Sequence, residues 1–162
     1  MKFSNSWLIK SGLRAILLLA ASLVCFAQTN VLNFAPPKKV TAKMGAVAEA
    51  PLTIHLRPGY HVNSNMPSDE YLIPLRLTWN AGPLETSDVV FPKPSLEKYA
   101  FSEKPLSVFS GDFEIRTRFK VAANAPAGPA VMTGKLRYQA CNDRMCLAPK
   151  TLDVSLPVEV VK

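Results

Sequence analysis

Alternation of apolar and polar side chains along several segments is the feature that most restricts how this chain can fold. Four segments between residues 52 and 161 repeat with a period of two: "LTIHLR", "PLRLTWN", "DFEIRTRFKV" and "TLDVSLPVEVV". In the third segment Ile115 and Phe119 share one face with Thr117, and charged residues occupy the other. A period of two places the apolar side chains on one face of a strand. The pattern therefore predicts half-buried β-strands.

Turn-forming residues separate these segments, as in "RPGY", "NAGP", "FPKP", "SGD" and "NAPAGP". No segment after residue 28 has the pattern of an amphipathic helix. Short strands with turns at regular intervals predict an all-β fold, an immunoglobulin-like antiparallel β-sandwich. The stretch 97–111, "EKYAFSEKPLSVFSG", is less regular, and we expect it to be a loop lying across one end of the sandwich.

The N-terminus has the composition of a targeting segment. Three basic residues, Lys2, Lys10 and Arg14, precede an apolar run from Ala15 to Ala27, which is shorter than the roughly 20 residues of a spanning helix. Small residues at Cys25 and Ala27 suit a cleavage site. We therefore predict a signal peptide over residues 1–27, a loose lead-in over 28–37 and the sandwich domain over 38–162. An uncleaved anchor is the alternative.

The charge of the chain disfavours nucleic acid as a partner. Its net charge of +7 falls to +4 without residues 1–27, which hold three basic and no acidic side chains. The remaining charges are interspersed and form no basic patch with aromatic residues. No Ser-His-Asp set or pair of carboxylates indicates a hydrolase either.

The segment "YQACNDRMCLAP" holds the only close cysteine pair, Cys141 and Cys146. An exported protein with two such cysteines is expected to meet an oxidising environment. A purely structural disulfide that closes a loop of about six residues would add roughly 2 kcal/mol to the free energy of unfolding, whereas one that closes a loop of around sixty residues would add about 4 kcal/mol. The short spacing weakens the hypothesis of a structural disulfide without excluding it.

A metal site needs more ligands than the pair provides. Two thiolates fill half of a tetrahedral zinc site, and His55 and His61 match no zinc-binding spacing. Met145 beside Cys146 would suit Cu(I), so a copper-handling protein remains a minor alternative.

Disulfide exchange needs an accessible thiolate. Arg144 and Lys150 would favour a thiolate at this position, and Asp143 would oppose it. Spacing and charge alone leave the structural and the exchanging disulfide both open.

The segment "YQACNDRMCLAPKTLDVSLPVEV" resembles the end of the N-terminal periplasmic domain of the thiol:disulfide interchange protein DsbD. The matching residues are Tyr138, Gln139, Cys141, Cys146, Pro149 and the run from Leu152 to Val160. The earlier segment "LRPGYHVNSNMPSDEYLIPLRLTW" is similar to the first half of that domain. Together the resemblance covers about residues 38–161.

The resemblance implies an immunoglobulin-like sandwich whose two cysteines cycle between dithiol and disulfide. It implies that Cys146 bonds the partner and Cys141 resolves the mixed disulfide. It also implies a cap loop with a shielding aromatic residue, which Phe101 matches best. Further candidates for this cap and pocket are Tyr99, Phe109, Tyr138 and Gln139. No flavin, nicotinamide or metal cofactor is expected, because the cysteines carry the electrons.

The resemblance further implies a place in an electron pathway. Such a domain takes electrons from a membrane-embedded donor and passes them to periplasmic thioredoxin-like or disulfide-isomerase proteins, including those of cytochrome c maturation. Because this chain stops at Lys162, we expect its donor to be a separate protein. We predict a monomeric, periplasmic thiol:disulfide oxidoreductase. The alternative is a non-catalytic β-sandwich binding module with a permanent hairpin disulfide.

Overall fold

A computed structural model describes residues 30–162, and the regular structure in this range is entirely β. The predicted signal peptide, residues 1–27, lies outside the described residues. The strands are β1 (Leu32–Phe34), β2 (Val40–Lys43), β3 (Val47–Leu56), β4 (His61–Asn63), β5 (Arg76–Trp79), β6 (Glu85–Val90), β7 (Ser95–Glu97), β8 (Leu106–Ser110), β9 (Asp112–Lys120), β10 (Gly128–Tyr138), β11 (Ala140–Cys141) and β12 (Lys150–Val161). The predicted all-β, immunoglobulin-like class is confirmed.

The strands form three four-stranded sheets. The first has the order β1-β3-β9-β6, the second β2-β12-β10-β5, and the third β11-β4-β8-β7. Neighbouring strands are antiparallel, except that β2 runs parallel to β12. In the described range no helix is both long and apolar enough to cross a membrane.

The core lies between the first two sheets. Ile54 and Ile115 of the first sheet share one buried cluster with Leu136 of the second. Thr117, the one polar residue in the apolar row of β9, is fully buried, and its Oγ1 accepts a hydrogen bond of 2.9 Å from Trp79 Nε1. This bond links the two sheets and gives the indole donor the partner that a buried polar group needs.

Two segments differ from the sequence-based expectation. Residues 28–37 were expected to be a loose lead-in, but Leu32–Phe34 form β1 and pair with β3. Leu32 is fully buried there, so apolar burial orders this short strand. The stretch 97–111 is not one loop, because Leu106–Ser110 form β8. Its first four residues are all buried, so both faces are covered and the strand shows no alternation.

The third sheet continues three long strands at one end of the sandwich. Strand β3 leads into β4 through residues 57–60, where Gly59 has a φ of 80° that favours glycine. Strand β8 leads into β9 through Gly111 alone, and β10 leads into β11 through Gln139 alone. These short links place the cysteine pair and its surroundings on direct extensions of the core.

Candidate functional site

The two cysteines form a disulfide across a β-hairpin. Cys141 and Cys146 lie directly opposite each other as an antiparallel bridge. Backbone hydrogen bonds flank this bridge on both sides: Leu147 N donates to Ala140 O over 2.8 Å, and Asn142 N donates to Met145 O over 2.9 Å. The cysteines therefore occupy a non-hydrogen-bonded pair, the position at which opposing side chains of an antiparallel ladder approach most closely.

The turn between the cysteines is held by Asn142. Its side-chain Oδ1 accepts hydrogen bonds of 2.9 Å from the backbone N of both Arg144 and Met145. An Asn at the start of a turn commonly makes such bonds. Asp143, Arg144 and Met145 are exposed as a result, and 59% of Met145 is accessible. The turn forms a short projection with mixed charge and one apolar side chain.

The two sulfur-bearing residues differ in exposure. Cys141 is fully buried, whereas Cys146 is only partly buried. Thiol–disulfide exchange needs direct approach of an attacking sulfur to its target. A protein that meets this hairpin from solvent reaches Cys146 before Cys141.

Cys141 belongs to a row of residues that crosses the third sheet. In the strand register Cys141 lies opposite His61 of β4, and His61 lies opposite Ser110 of β8. Directly opposed residues of antiparallel strands point to the same face of the sheet, with Cβ atoms about 4.5–5.5 Å apart. The register therefore places an imidazole beside the buried cysteine.

His61 is enclosed although it is polar. Only 2% of the residue is accessible, and its ring stacks on Tyr99 with 4.0 Å between ring centroids. Burial lowers the pKa of His61, and the nearby Glu97 carboxylate partly opposes this effect. Within residues 30–162 the Nε2 atom has no hydrogen-bond partner.

Tyr99 covers His61 from a loop that we call the cap loop, residues 98–105. The Tyr99 hydroxyl donates to Glu97 Oε2 over 2.5 Å, and Ser110 Oγ donates to the other oxygen, Oε1, over 3.2 Å. Burial, followed by the hydrogen bond to Glu97, raises the pKa of Tyr99. Phe101 stacks beyond Tyr99 at 5.4 Å, lies 6.5 Å from His61 and remains 41% exposed.

The cap loop is held mainly by its own hydrogen bonds. Lys98 Nζ donates to the backbone oxygens of Ser102 and Glu103, and Ser102 Oγ donates to Lys104 O over 2.7 Å. Its attachment to the sandwich rests on Tyr99, whose ring packs against a small buried cluster of Leu72, Leu106 and Val108. One further bond, of 3.2 Å, runs from Ser68 Oγ to Pro105 O.

A shallow pocket of about 300 Å³ lies between the cysteine hairpin and the cap loop. Its lining includes Asp143 from the hairpin, His61, and both Glu97 and Tyr99 from the cap side. A larger pocket of about 660 Å³ is lined by residues 79–86 and by the end of β9, far from the cysteines. Of these two pockets, the smaller one borders the cysteine hairpin, through Asp143.

The structure separates the predicted site residues into two groups. Tyr99 and Phe101 lie in the cap loop, and Gln139 Nε2 donates to Leu147 O over 3.1 Å at the base of the hairpin. Phe109 and Tyr138 are buried in the main core instead. Phe109 is adjacent to Ser110 in β8, so the two side chains point to opposite faces of the sheet. Phe109 therefore lies on the face away from Cys141, His61 and Ser110.

Two residues of this arrangement, His61 and Glu97, were absent from the sequence-based prediction of the site. The sequence alone indicates His61 only as a possible metal ligand. Its place beside Cys141 depends on pairing between strands about eighty residues apart in the sequence. The only local sequence feature that could have indicated His61 as a site residue is its position just after the "RPGY" turn. Within residues 30–162, no three His, Cys, Asp or Glu side chains lie close enough together to hold a metal ion.

Comparison with solved structures finds related folds. The N-terminal periplasmic domain of ScsB from Proteus mirabilis aligns with a TM-score of 0.50 and 17% identity, over 74% of this chain and 43% of that chain. The chain thus spans less than half the length of the ScsB structure. The reduced DsbD N-terminal domain of Neisseria meningitidis aligns with a TM-score of 0.46 and 14% identity, over 78% of this chain and 86% of that one.

A type I cohesin from Pseudobacteroides cellulosolvens aligns with a TM-score of 0.44 and 16% identity, over 80% of this chain and 92% of that one. Among curated protein sequences no match to this chain was found. The model of one protein family, described as thiol:disulfide interchange protein DsbD, N-terminal, matches residues 29–157. The chain therefore belongs to the family of DsbD N-terminal domains.

Proposed function

We propose that this chain is a periplasmic thiol–disulfide exchange domain whose Cys141–Cys146 pair cycles between dithiol and disulfide. The observation that carries the proposal is the asymmetric placement of this pair, with Cys146 at an exposed turn and Cys141 buried beside the covered His61. Loop closure across six residues adds only about 2 kcal/mol, so stability alone is a weak reason for the bond. Family membership supports the same chemistry.

In the reduced state, the Cys146 thiolate attacks one sulfur of a partner disulfide. A bond forms between Cys146 and that sulfur, while the other partner sulfur leaves as a thiolate and takes up a proton. Cys141 then attacks Cys146, which restores the disulfide and releases the second partner thiol. Two electrons and two protons pass to the partner, and the two cysteines supply both electrons without a further cofactor.

The cap loop controls access to the pair. Tyr99 holds it in place through its ring stack on His61 and its bond to Glu97. Since the loop keeps its own internal hydrogen bonds, a partner displaces it as a unit by breaking the Tyr99 contacts. Phe101, which is partly exposed on the outer side of Tyr99, is the first cap residue that the partner meets.

The segment 1–27 directs export to the periplasm in this proposal. The donor is a membrane-embedded reductant, and the acceptors are thioredoxin-like or disulfide-isomerase proteins, including those of cytochrome c maturation. Membership in the family of DsbD N-terminal domains supports this assignment.

The reduction potential of the pair tests the proposal most directly. The mature protein is equilibrated in glutathione buffers, its thiols are alkylated and the mass is read. We expect a value between roughly −180 and −270 mV, the range of known exchange proteins. A value well below about −300 mV would identify a structural disulfide and favour the binding-module alternative.

Trapping experiments assign the two cysteines. With a thioredoxin-like protein in its disulfide form, Cys141→Ser is expected to accumulate a mixed disulfide through Cys146. Cys146→Ser is expected to accumulate far less, because Cys141 is buried. The double variant serves as the control, and exchange activity in it would refute the proposal.

A further inference from the structure

His61 is a buried titratable group for which the exchange reaction as described has no use. It lies between Cys141 and Ser110 in the strand register, and Tyr99 of the cap loop stacks on its ring. Its Nε2 atom lacks a partner within the described residues although the side chain is almost fully enclosed. An unpaired buried polar atom destabilises a fold. A buried imidazole opposite a reactive cysteine is therefore a candidate for a role in the reaction.

The resolving step presents a matching problem. Cys141 must lose its proton to attack Cys146, yet a thiol with the ordinary pKa of about 8.5 is only about one per cent ionised at pH 6.5. Because Cys141 is fully buried, its proton does not pass directly to bulk water. A neutral base on the same row of the sheet would remove this obstacle.

We propose that His61 accepts the proton of the Cys141 thiol in the resolving step, so that the row Cys141–His61–Ser110 joins the cysteine pair to the cap. This inference rests on the exchange function proposed above. As Cys141 Sγ bonds to Cys146 Sγ, the bond between Cys146 and the partner sulfur breaks and its electron pair leaves with the partner. The S–H proton passes to the imidazole and then to the departing partner thiolate. Protons and electrons balance, and no further reactant is needed.

The groups around His61 suit this role. Burial keeps the imidazole neutral and able to accept a proton near pH 7, because it lowers the pKa of His61. The Glu97 carboxylate from β7 raises that pKa and so stabilises the imidazolium once it forms. Tyr99 from the cap loop covers the ring until a partner displaces the loop, and Asp143 of the hairpin and Tyr60 line the adjoining pocket. His61 thus contacts the cap on one side and faces the cysteine pair on the other.

The test follows the reaction of the fully reduced protein with dithiobis(nitrobenzoate), an aromatic disulfide, in a rapid-mixing instrument. The first nitrothiobenzoate is released when Cys146 attacks the reagent. The second is released when Cys141 resolves the adduct, at a rate that does not depend on reagent concentration. Cys141→Ser confirms the assignment by abolishing only the second release.

The second release should depend little on pH between pH 6.5 and 7.5 in the unmodified protein, because a neutral imidazole takes the proton throughout this range. In His61→Gln it should be at least about tenfold slower at pH 6.5. It should then rise about tenfold per pH unit, as expected for attack by a pre-formed thiolate. The first release should change little. His55→Gln is the matched control, because His55 is exposed and pairs with Asp112.

The outcomes separate the two proposals. If the unmodified protein gives no second release, the exchange function itself is wrong. If both releases occur but the second rises about tenfold per pH unit in the unmodified protein, His61 is not the proton acceptor. This result is decisive even if the variant fails to fold. Equal pH profiles for His61→Gln and His55→Gln would overturn the inference in the same way.

Discussion

Reduction of the Cys141–Cys146 disulfide is expected to lower the stability of the domain but to leave it folded. The bond closes a loop of six residues, and the chain-entropy relation gives a loss of about 2 kcal/mol for that length. The flanking hydrogen bonds of the hairpin remain available after reduction. In a domain of this size, the loss corresponds to a decrease in Tm of roughly 5–10 °C.

Urea unfolding of the oxidised and reduced protein measures this difference as a change in the free energy of unfolding. A double Cys141→Ala, Cys146→Ala variant is the control, since a reductant should not change its midpoint. A loss above about 4 kcal/mol, or the disappearance of the cooperative transition, would contradict the reasoning. The disulfide would then be structural, since a domain with a redox-active pair must stay folded in both the oxidised and the reduced state.

Three further predictions concern the cap, the core and pH. Tyr99→Ala should raise the rate at which a small phosphine reduces the disulfide by about two- to tenfold, because it removes an aromatic stack worth about 0.5–1.5 kcal/mol. Phe101→Ala should have a smaller effect. Equal reduction rates for Tyr99→Ala and the unmodified protein would count against Tyr99 as the cap. Thr117→Val should lower the free energy of unfolding by about 1–2 kcal/mol in a urea titration, because Trp79 Nε1 loses its acceptor; Thr117→Ser, which keeps the hydroxyl, should lose clearly less. The lowered pKa of His61 means that the unfolded chain binds more protons than the folded one, so the free energy of unfolding should fall as pH drops below about 6.5, by at most about 1.4 kcal/mol per pH unit. This fall should be smaller in His61→Phe. The same pH dependence of the urea midpoint in His61→Phe and in the unmodified protein would refute the prediction.

The long strands of the two main sheets could be predicted from sequence because each has one buried face. Ile115, Thr117 and Phe119 of β9 are buried as the alternation predicts. Strand β8 could not be recognised in this way, because both of its faces are covered. For the same reason the sequence suggests Phe109 as a candidate for the cap and pocket, although it packs in the core. Alternation reports burial on one face and is lost where a strand is covered on both.

The candidate site could be predicted only in part. Cys141, Cys146 and the cap aromatic residues lie in local motifs that a sequence displays directly. The place of His61 depends on the register of β4 against β11 and β8. Glu97 likewise becomes part of the site only when β7 pairs with β8. Contacts that depend on the pairing of distant strands have no local sequence signature.

The short links of the third sheet have a mechanical consequence. Strands β4, β8 and β11 are each joined to a long core strand through one to four residues, so a pull on the cysteine hairpin is shared among three core strands. The cap loop runs from β7, a three-residue strand at the sheet edge, to β8, so only one of its two ends is attached to a strand that continues into the core. A load applied by a docked protein therefore deforms the cap and leaves the sulfur atoms in place. The domain divides into a stiff support for the sulfur atoms and a compliant cover.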